Sequence, residues 1–211
     1  MNSGARVSVI IILSVLFMSA LTAEEQISFK GGYTRAVMIE GKESVSLSQG
    51  AVITVGSLTV EADSIQLIGS QASQITASKN VVIKDSEKQI EIRSNALSYD
   101  RLEGSLTVDG WVEIEDFANE MIASGGYLLY DTKSSNMLLQ VSSSLIRTSD
   151  EGIMRISGDS IEYDRDSRLL KVAGSCEIQF KGSVYRSQVT TVNLDSNEIT
   201  MSGEIEGTIY E

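Results

Sequence analysis

The chain has 211 residues, 42% of them hydrophobic, with 17 Lys+Arg against 29 Asp+Glu and a formal net charge of −12. Such an acidic surface repels phosphate backbones and argues against nucleic acid as a partner. The absence of His removes imidazole acid–base chemistry and the usual zinc sites, the absence of Pro removes Pro-rich linkers, and the single Cys176 cannot form an internal disulfide.

Residues 1–23 have the layout of a secretory signal. Arg6 supplies a positive charge, residues 7–21 are largely apolar, and small residues precede Glu24 and Glu25, so cleavage is expected after Ala23. The apolar run is shorter than the about 20 residues that a membrane span needs. Retention as an uncleaved anchor stays open as the alternative. Residues 24–211 are of a length that suits one domain.

Beyond residue 27 almost nothing has helical period. Apolar and polar residues alternate over 45–48, 53–67, 80–85, 89–99, 105–116, 154–163, 169–180 and 197–210, with Gly, Asn, Asp and Ser clustered between the runs. Alternation enriched in Val, Ile and Thr is the signature of strands.

The strands repeat. SYD (98–100), LYD (129–131), EYD (162–164) and NLD (193–195) align, with a degenerate earlier copy at 62–69. A spacing near 32 residues marks repeated strand-turn-strand units. In this register Asp100, Asp131, Asp164 and Asp195 form turns, because an Asp carboxylate accepts hydrogen bonds from turn amides. The Arg after the Tyr-Asp step is expected to point to solvent.

Strand parity places Ile65 with Leu67, Leu97 with Tyr99, Leu128 with Tyr130, Ile161 with Tyr163 and Val192 with Leu194 on shared faces. On the return strands Leu106 and Val108 share a face with Val112 and Ile114, as do Leu170 and Val172 with Cys176, Ile178 and Phe180. Trp111 has the opposite parity and should face outward. Gly110, Gly174 and Gly203 interrupt the return strands, where a glycine commonly marks a bulge or bend. Bent strand pairs with one apolar face each must close on one another. The expected fold is therefore all-β: an elongated, open-ended antiparallel jelly-roll with an apolar interior.

The final segment keeps its alternation to the last residue. Glu204, Ile205, Thr208, Ile209 and Tyr210 are therefore read as an unguarded edge that can add a partner strand.

No catalytic constellation emerges. Glu113 with Glu115 and Asp164 with Asp166 are same-face neighbours or turn residues, not a convergent acid pair, so a polysaccharide-cleaving solenoid is disfavoured. No Gly-rich phosphate loop followed by Lys-Ser/Thr occurs, and no cofactor is expected. A structural or adhesive secreted solenoid stays open, since alternation is also what any sandwich core shows.

VSLSQGAVITVGSLTVEADSIQL (45–67) and SNALSYDRLEGSLTVDGWVEI (94–114) resemble the OstA-like domain of lipopolysaccharide transport proteins, the LptA-type family, over most of residues 27–211. The resemblance implies an open-ended jelly-roll in the periplasm. Its groove would shield acyl chains of lipopolysaccharide, or another acylated glycolipid, between the inner and outer membranes. It implies edge-strand pairing with LptC-like and LptD-like proteins, and end-to-end self-association. A membrane-anchored, LptC-like component is the alternative within the same system. Ile27 and Phe29 inherit the groove-lining role of the family's first strand, and Leu97, Tyr99, Leu106 and Val108 correspond to lining strands further along. By shared parity the lining extends to Ile65, Leu67, Leu128, Tyr130, Ile161, Tyr163, Leu170 and Val172. The sequence departs from the family in its acidity and in lacking a visible basic cluster for lipid phosphates.

Overall fold

Alternating apolar side chains leave every second residue free to face one interior, and the chain uses that freedom almost throughout. A computed structural model describes residues 26–210, and the expected signal segment lies outside them. The strands are β1 (Ile27–Lys30), β2 (Tyr33–Val37), β3 (Ser44–Val55), β4 (Leu58–Ile68), β5 (Gln74–Asp85), β6 (Ile90–Asp100) and β7 (Ser105–Asp116). They continue as β8 (Met121–Asp131), β9 (Met137–Ser149), β10 (Gly152–Asp164), β11 (Leu169–Phe180), β12 (Ser183–Asn193), β13 (Ile199–Ser202) and β14 (Glu206–Thr208). One 3-10 turn, Ser70–Ala72, lies between β4 and β5.

From β3 to β13 each strand pairs antiparallel with the next in sequence, so these strands form one open meander. Both ends finish in a broken strand. β1 and β2 both pair with β3, and β13 and β14 both pair with β12. The fold is the expected open-ended antiparallel jelly-roll.

Two long runs divide where the sequence pattern did not. Residues 53–67 split into β3 and β4 at Gly56, whose φ of 56° makes a tight hairpin. The C-terminal run breaks after Gly203 (φ 94°), so only Glu206–Thr208 form a ladder, with Glu204, Ile205, Ile209 and Tyr210 flanking it. The strand β9 has no clean alternation, because VSSS (141–144) sits at its centre.

That centre is where the sheet folds. Register shifts fall in the middle of each pairing from β3 to β12, for example between Ser48 and Ala51, Asp109 and Val112, and Ala173 and Cys176. The bulges increase local twist and bend each strand. Gly110 (φ 127°) and Gly174 (φ 74°) lie on this line, as expected, but so do Lys79–Asn80 and Val141–Ser142, also at positive φ. The bulges divide the sheet into two limbs that face each other.

Each limb contributes continuous inner rows. On the first, cross-strand pairing runs Val45, Leu67, Ile75, Tyr99, Leu106, Tyr130, Met137, Tyr163, Leu170, Val192 and Ile199 in unbroken register. On the second, Ile53, Val60, Ile83, Ile92, Ile114, Ala123, Leu145, Ile156, Ile178 and Tyr185 form the matching row. The two limbs pack into one hydrophobic core. Burying one such Leu or Ile contributes about 1.5–3 kcal/mol.

Candidate functional site: an apolar interior closed by a side-chain seam

Opposite the bulge line, the limb edges end in two rows of hairpin turns. The first-limb row includes 101–104, 132–136 and 165–168, starting at 69–73 and ending at 194–198; the second-limb row includes 86–89, 117–120, 150–151 and 181–182, starting at 56–57. Most of these turns are tied by an acidic or amide side chain at the last strand residue. Asp100 Oδ1 accepts from the Glu103 amide, Asp131 Oδ1 from those of Lys133 and Ser134, and Asp164 Oδ1 from those of Asp166 and Ser167. In the turn at 194–198 the role belongs to Asn193, whose Oδ1 accepts from the Asp195 and Ser196 amides. The sequence register had placed Asp195 there. It is displaced by two residues because β12 ends at Asn193, and Asp195 lies instead 2.6 Å from Arg168 Nε as a charge contact without an aligned N–H.

Within each row, backbone hydrogen bonds join neighbouring turns, as from the Phe117 amide to the Gln89 carbonyl and from the Thr132 amide to that of Gly104. Among the described residues no backbone–backbone bond joins one row to the other. Side chains do. Lys88 Nζ donates to the Thr132 carbonyl. Arg168 Nη1 donates to Asn119 Oδ1 (2.8 Å), Arg147 Nη1 to Asn197 Oδ1 (2.9 Å), and Asn197 Nδ2 to Glu151 Oε1 (2.9 Å).

The most buried link is Arg165 with Asp116. Nε donates to Oδ2 at 3.1 Å and Nη2 to Oδ1 at 3.2 Å, while Nη2 also reaches the Lys88 carbonyl at 2.6 Å. The Asp116 side chain is 4% exposed and that of Arg165 only 17%. Arg165 therefore does not point to solvent, as its place in the Tyr-Asp-Arg repeat suggested. It reaches across the seam because a buried carboxylate on the facing limb supplies the compensating charge.

That carboxylate was invisible in the sequence pattern. In the second limb's outermost inner row, Val55, Leu58, Asp85, Ile90, Asp116, Met121, Arg147 and Met154 pair in turn, so three polar residues interrupt an apolar ladder. Asp85 and Asp116 close the alternating runs 80–85 and 105–116, and both also tie the turn that follows: Asp85 Oδ1 accepts from the Glu87 and Lys88 amides, and Asp116 Oδ1 from that of Asn119. Cations dispersed in the sequence, Lys88, Arg147, Arg165 and Arg168, are brought to this seam from three different hairpins.

The sequence-selected apolar residues lie behind the seam. Ile65, Leu67, Leu97, Tyr99, Leu106, Val108, Leu128, Tyr130, Ile161, Tyr163, Leu170 and Val172 are all buried in the one core. Ile27 and Phe29 share its inner parity, through register with Val55 and Ile53. They lie on the end strand, so Ile27 is half-buried and Phe29 is 49% exposed. At the other end Glu204, Ile205, Thr208, Ile209 and Tyr210 are exposed, and Trp111 faces outward. Cys176 is buried with its thiol donating to the Gln188 carbonyl, and burial pushes its pKa up.

The interior is filled in this state. An apolar cavity of about 30 Å³ lies between the limbs, lined by Ile114, Asp116, Met121, Leu145, Ile161 and Tyr163 among others. A water needs about 10–15 Å³ of such space, so the cavity has room for one or two waters and not for an acyl chain. A larger polar cleft of about 350 Å³ opens at the seam itself, between Asp85, Lys88, Tyr99, Arg101, Thr132 and Lys133. A larger guest fits between the limbs only if they part. No helix among the described residues is long and apolar enough to cross a membrane, and no cluster of His, Cys, Asp and Glu among them could hold a metal.

No protein-family model matches the chain, and no curated protein matches it. Among solved structures it is similar to LptH from Pseudomonas aeruginosa, described as the LptA homologous periplasmic component of the conserved lipopolysaccharide transport device. The superposition has a TM-score of 0.55 at 11% identity and covers 59% of this chain and 97% of that one. Part of the ladder here thus lies outside the match, and what the two chains share is the fold: an LptA-like β-jelly-roll.

Proposed function

We propose that this protein is a periplasmic carrier that shields the acyl chains of lipopolysaccharide, or of a related glycolipid, as the lipid moves between the inner and outer membranes. One observation carries the reading: the apolar interior is walled by backbone ladders on every strand, yet closed along one side by side chains alone. Parting that seam breaks the polar links between the turn rows and separates the apolar limb faces, which an entering acyl chain would cover again, and leaves the β-ladder intact. Each methylene removed from water contributes about 0.8 kcal/mol. A long acyl chain is thus worth on the order of 10 kcal/mol, too much for unaided aqueous transfer. A continuous apolar row from Val45 to Ile199 offers a nearly level path along the molecule.

The outer edges of β1/β2 and β13/β14 carry no strand partner among the described residues. In this reading they pair with LptC-like and LptD-like proteins, or with further copies of this chain, and extend the interior from one protein to the next. The residues proposed to meet lipid are the buried rows holding Ile65, Leu97, Leu106, Leu128 and their register partners, with Ile27 and Phe29 at one mouth.

The filled interior favours a second reading, a purely structural β-protein that never opens. Native mass spectrometry of protein purified from envelope, followed by titration of the delipidated protein with a fluorescent acyl probe, separates the two. Co-purifying lipid and saturable probe binding are expected. Protein that is lipid-free and fails to bind the probe refutes the carrier and leaves the structural reading.

A further inference from the structure

The first limb's row reaches the seam with three tyrosines, Tyr99, Tyr130 and Tyr163. Tyr99 finds a partner, Thr132 Oγ1 at 3.4 Å. The hydroxyls of Tyr130 and Tyr163 have none among the described residues, although the two side chains are 0% and 4% exposed. A buried donor without an acceptor costs about 1–3 kcal/mol. A phenylalanine would fill the same space without that cost, so two such tyrosines in one row call for an explanation.

The nearby carboxylate cannot supply it. Asp116 already accepts four hydrogen bonds: two from Arg165, one from the Asn119 amide (3.1 Å) and one from Asn119 Nδ2 (2.7 Å). A carboxylate offers about four acceptor sites. Both phenols also remain neutral donors. Burial, reinforced by the charge on Asp116, pushes Tyr163 up to about 12, and burial with Asp85 raises Tyr130 further.

The two tyrosines are the register partners of Met137 from either side, on β8 and β10. They are therefore two strand spacings apart, about 10 Å. Tyr163 lines the apolar cavity together with Asp116. Below them the interior is aliphatic; above them is the charged seam.

We infer that Tyr130 and Tyr163 form a carbonyl-binding step inside the groove, donating to the ester or amide carbonyls through which acyl chains join their headgroup. The inference rests on the carrier reading and adds to it the depth at which a lipid sits. Methylenes lie below the tyrosines, linkage carbonyls at them, and the headgroup above the Arg165–Asp116 link. A neutral carbonyl is the partner inferred, because both phenols are uncharged donors and the charges around them are mixed: Asp85, Asp116 and Asp131 bear on Tyr130 and Asp116 on Tyr163, offset by Arg165 on both and by Arg147 and Arg168 on Tyr163.

The test uses the full chain and a matched pair of probes, monopalmitoylglycerol and its ether analogue 1-O-hexadecylglycerol, each displacing N-phenyl-1-naphthylamine below its aggregation concentration. The two ligands differ in a single carbonyl. The ester is expected to bind several-fold to about tenfold more tightly, the range of one or two neutral hydrogen bonds. In Tyr130→Phe/Tyr163→Phe the ester-to-ether ratio is expected to fall to about one. Tyr127→Phe, on the outer parity of β8, serves as the control in which the ratio persists. Equal binding of both probes by the unaltered protein, or a preference that survives the double substitution, overturns the inference and leaves the carrier reading standing. Displacement by neither probe removes the carrier reading and this inference with it. Thermal unfolding of the double variant checks folding, and a midpoint at or above that of the unaltered protein is the expected result.

Discussion

Replacing Arg165 by alanine cuts the seam at its most buried link. The substitution removes two hydrogen bonds to Asp116 and one to the Lys88 carbonyl, and leaves a carboxylate that is 4% exposed with only the Asn119 donors. Breaking one side of a buried pair costs about 3–5 kcal/mol, because the remaining charge stays desolvated. For a domain of this size each kcal/mol lowers Tm by about 2–4 °C, so a fall of about 6–20 °C is expected. Urea unfolding should show the same loss as a lower midpoint at constant slope, which separates lost stability from altered compactness. Asp116→Leu alone should cost a similar amount by stranding Arg165. The double variant Arg165→Leu/Asp116→Leu should recover most of it, short by about 1 kcal/mol for the Asn119 turn contacts that Asp116 also accepts. With Arg165→Leu as the matching single variant at a similar cost, the cycle is expected to give a coupling energy of about 5–9 kcal/mol, the two single costs less that of the double variant. A cost for Arg165→Ala below about 1 kcal/mol, typical of solvent-screened pairs, or two single effects that simply add, would refute the seam as a buried electrostatic closure.

The bulge line predicts an order of glycine effects. Gly110→Ala, at φ 127° with open space around it, should cost about 1–3 kcal/mol because no L side chain suits that backbone. Gly174→Ala, at φ 74°, adds to a backbone cost of about 1–2 kcal/mol a clash with Asp159, whose Cβ would lie 2.8 Å away, so it should cost at least as much; a urea midpoint well above that of Gly110→Ala would count against the argument. Turn hydrogen bonds hold the Asp100, Asp131 and Asp164 carboxyls below their ordinary value of 3.8. Their contribution is therefore complete above that value and lost as pH falls through the folded pKa. The urea midpoint should stay level toward neutrality and drop below about pH 4, with a shallower drop in Asp164→Asn; a midpoint independent of pH down to acid would exclude the mechanism. Buried Cys176, with its pKa raised, should react with a thiol reagent only on unfolding, and rapid stoichiometric labelling of the native protein would show that β11 opens.

The inner rows were legible because their signal is local. In an antiparallel strand the face of a residue depends on parity alone, so Leu97 with Tyr99 and Leu170 with Val172 could be placed inside without knowing their partners. The bends at Gly110 and Gly174 were legible for the same reason. Those at Lys79–Asn80 and Val141–Ser142 were not, since these residues reach positive φ only under the constraint of neighbouring strands that bulge at the same level. The C-terminal run kept its alternation in sequence, yet its ladder is limited to Glu206–Thr208, because the chain turns at Gly203 to follow the bend in β12.

What the sequence determined by itself is the repeated strand-turn-strand unit, its apolar face and its Asx-bound turns, all set by period-two alternation and by turn residues within a few positions of one another. What only the tertiary structure decided is the seam. Asp116 and Arg165 are 49 residues apart, in turn rows at opposite ends of bent strands, and no spacing rule connects them. They meet because the bulges fold the sheet onto itself. In water each would be a solvated charge; beside each other at the edge of the core they hold it closed, above two tyrosine hydroxyls that have no partner among the described residues.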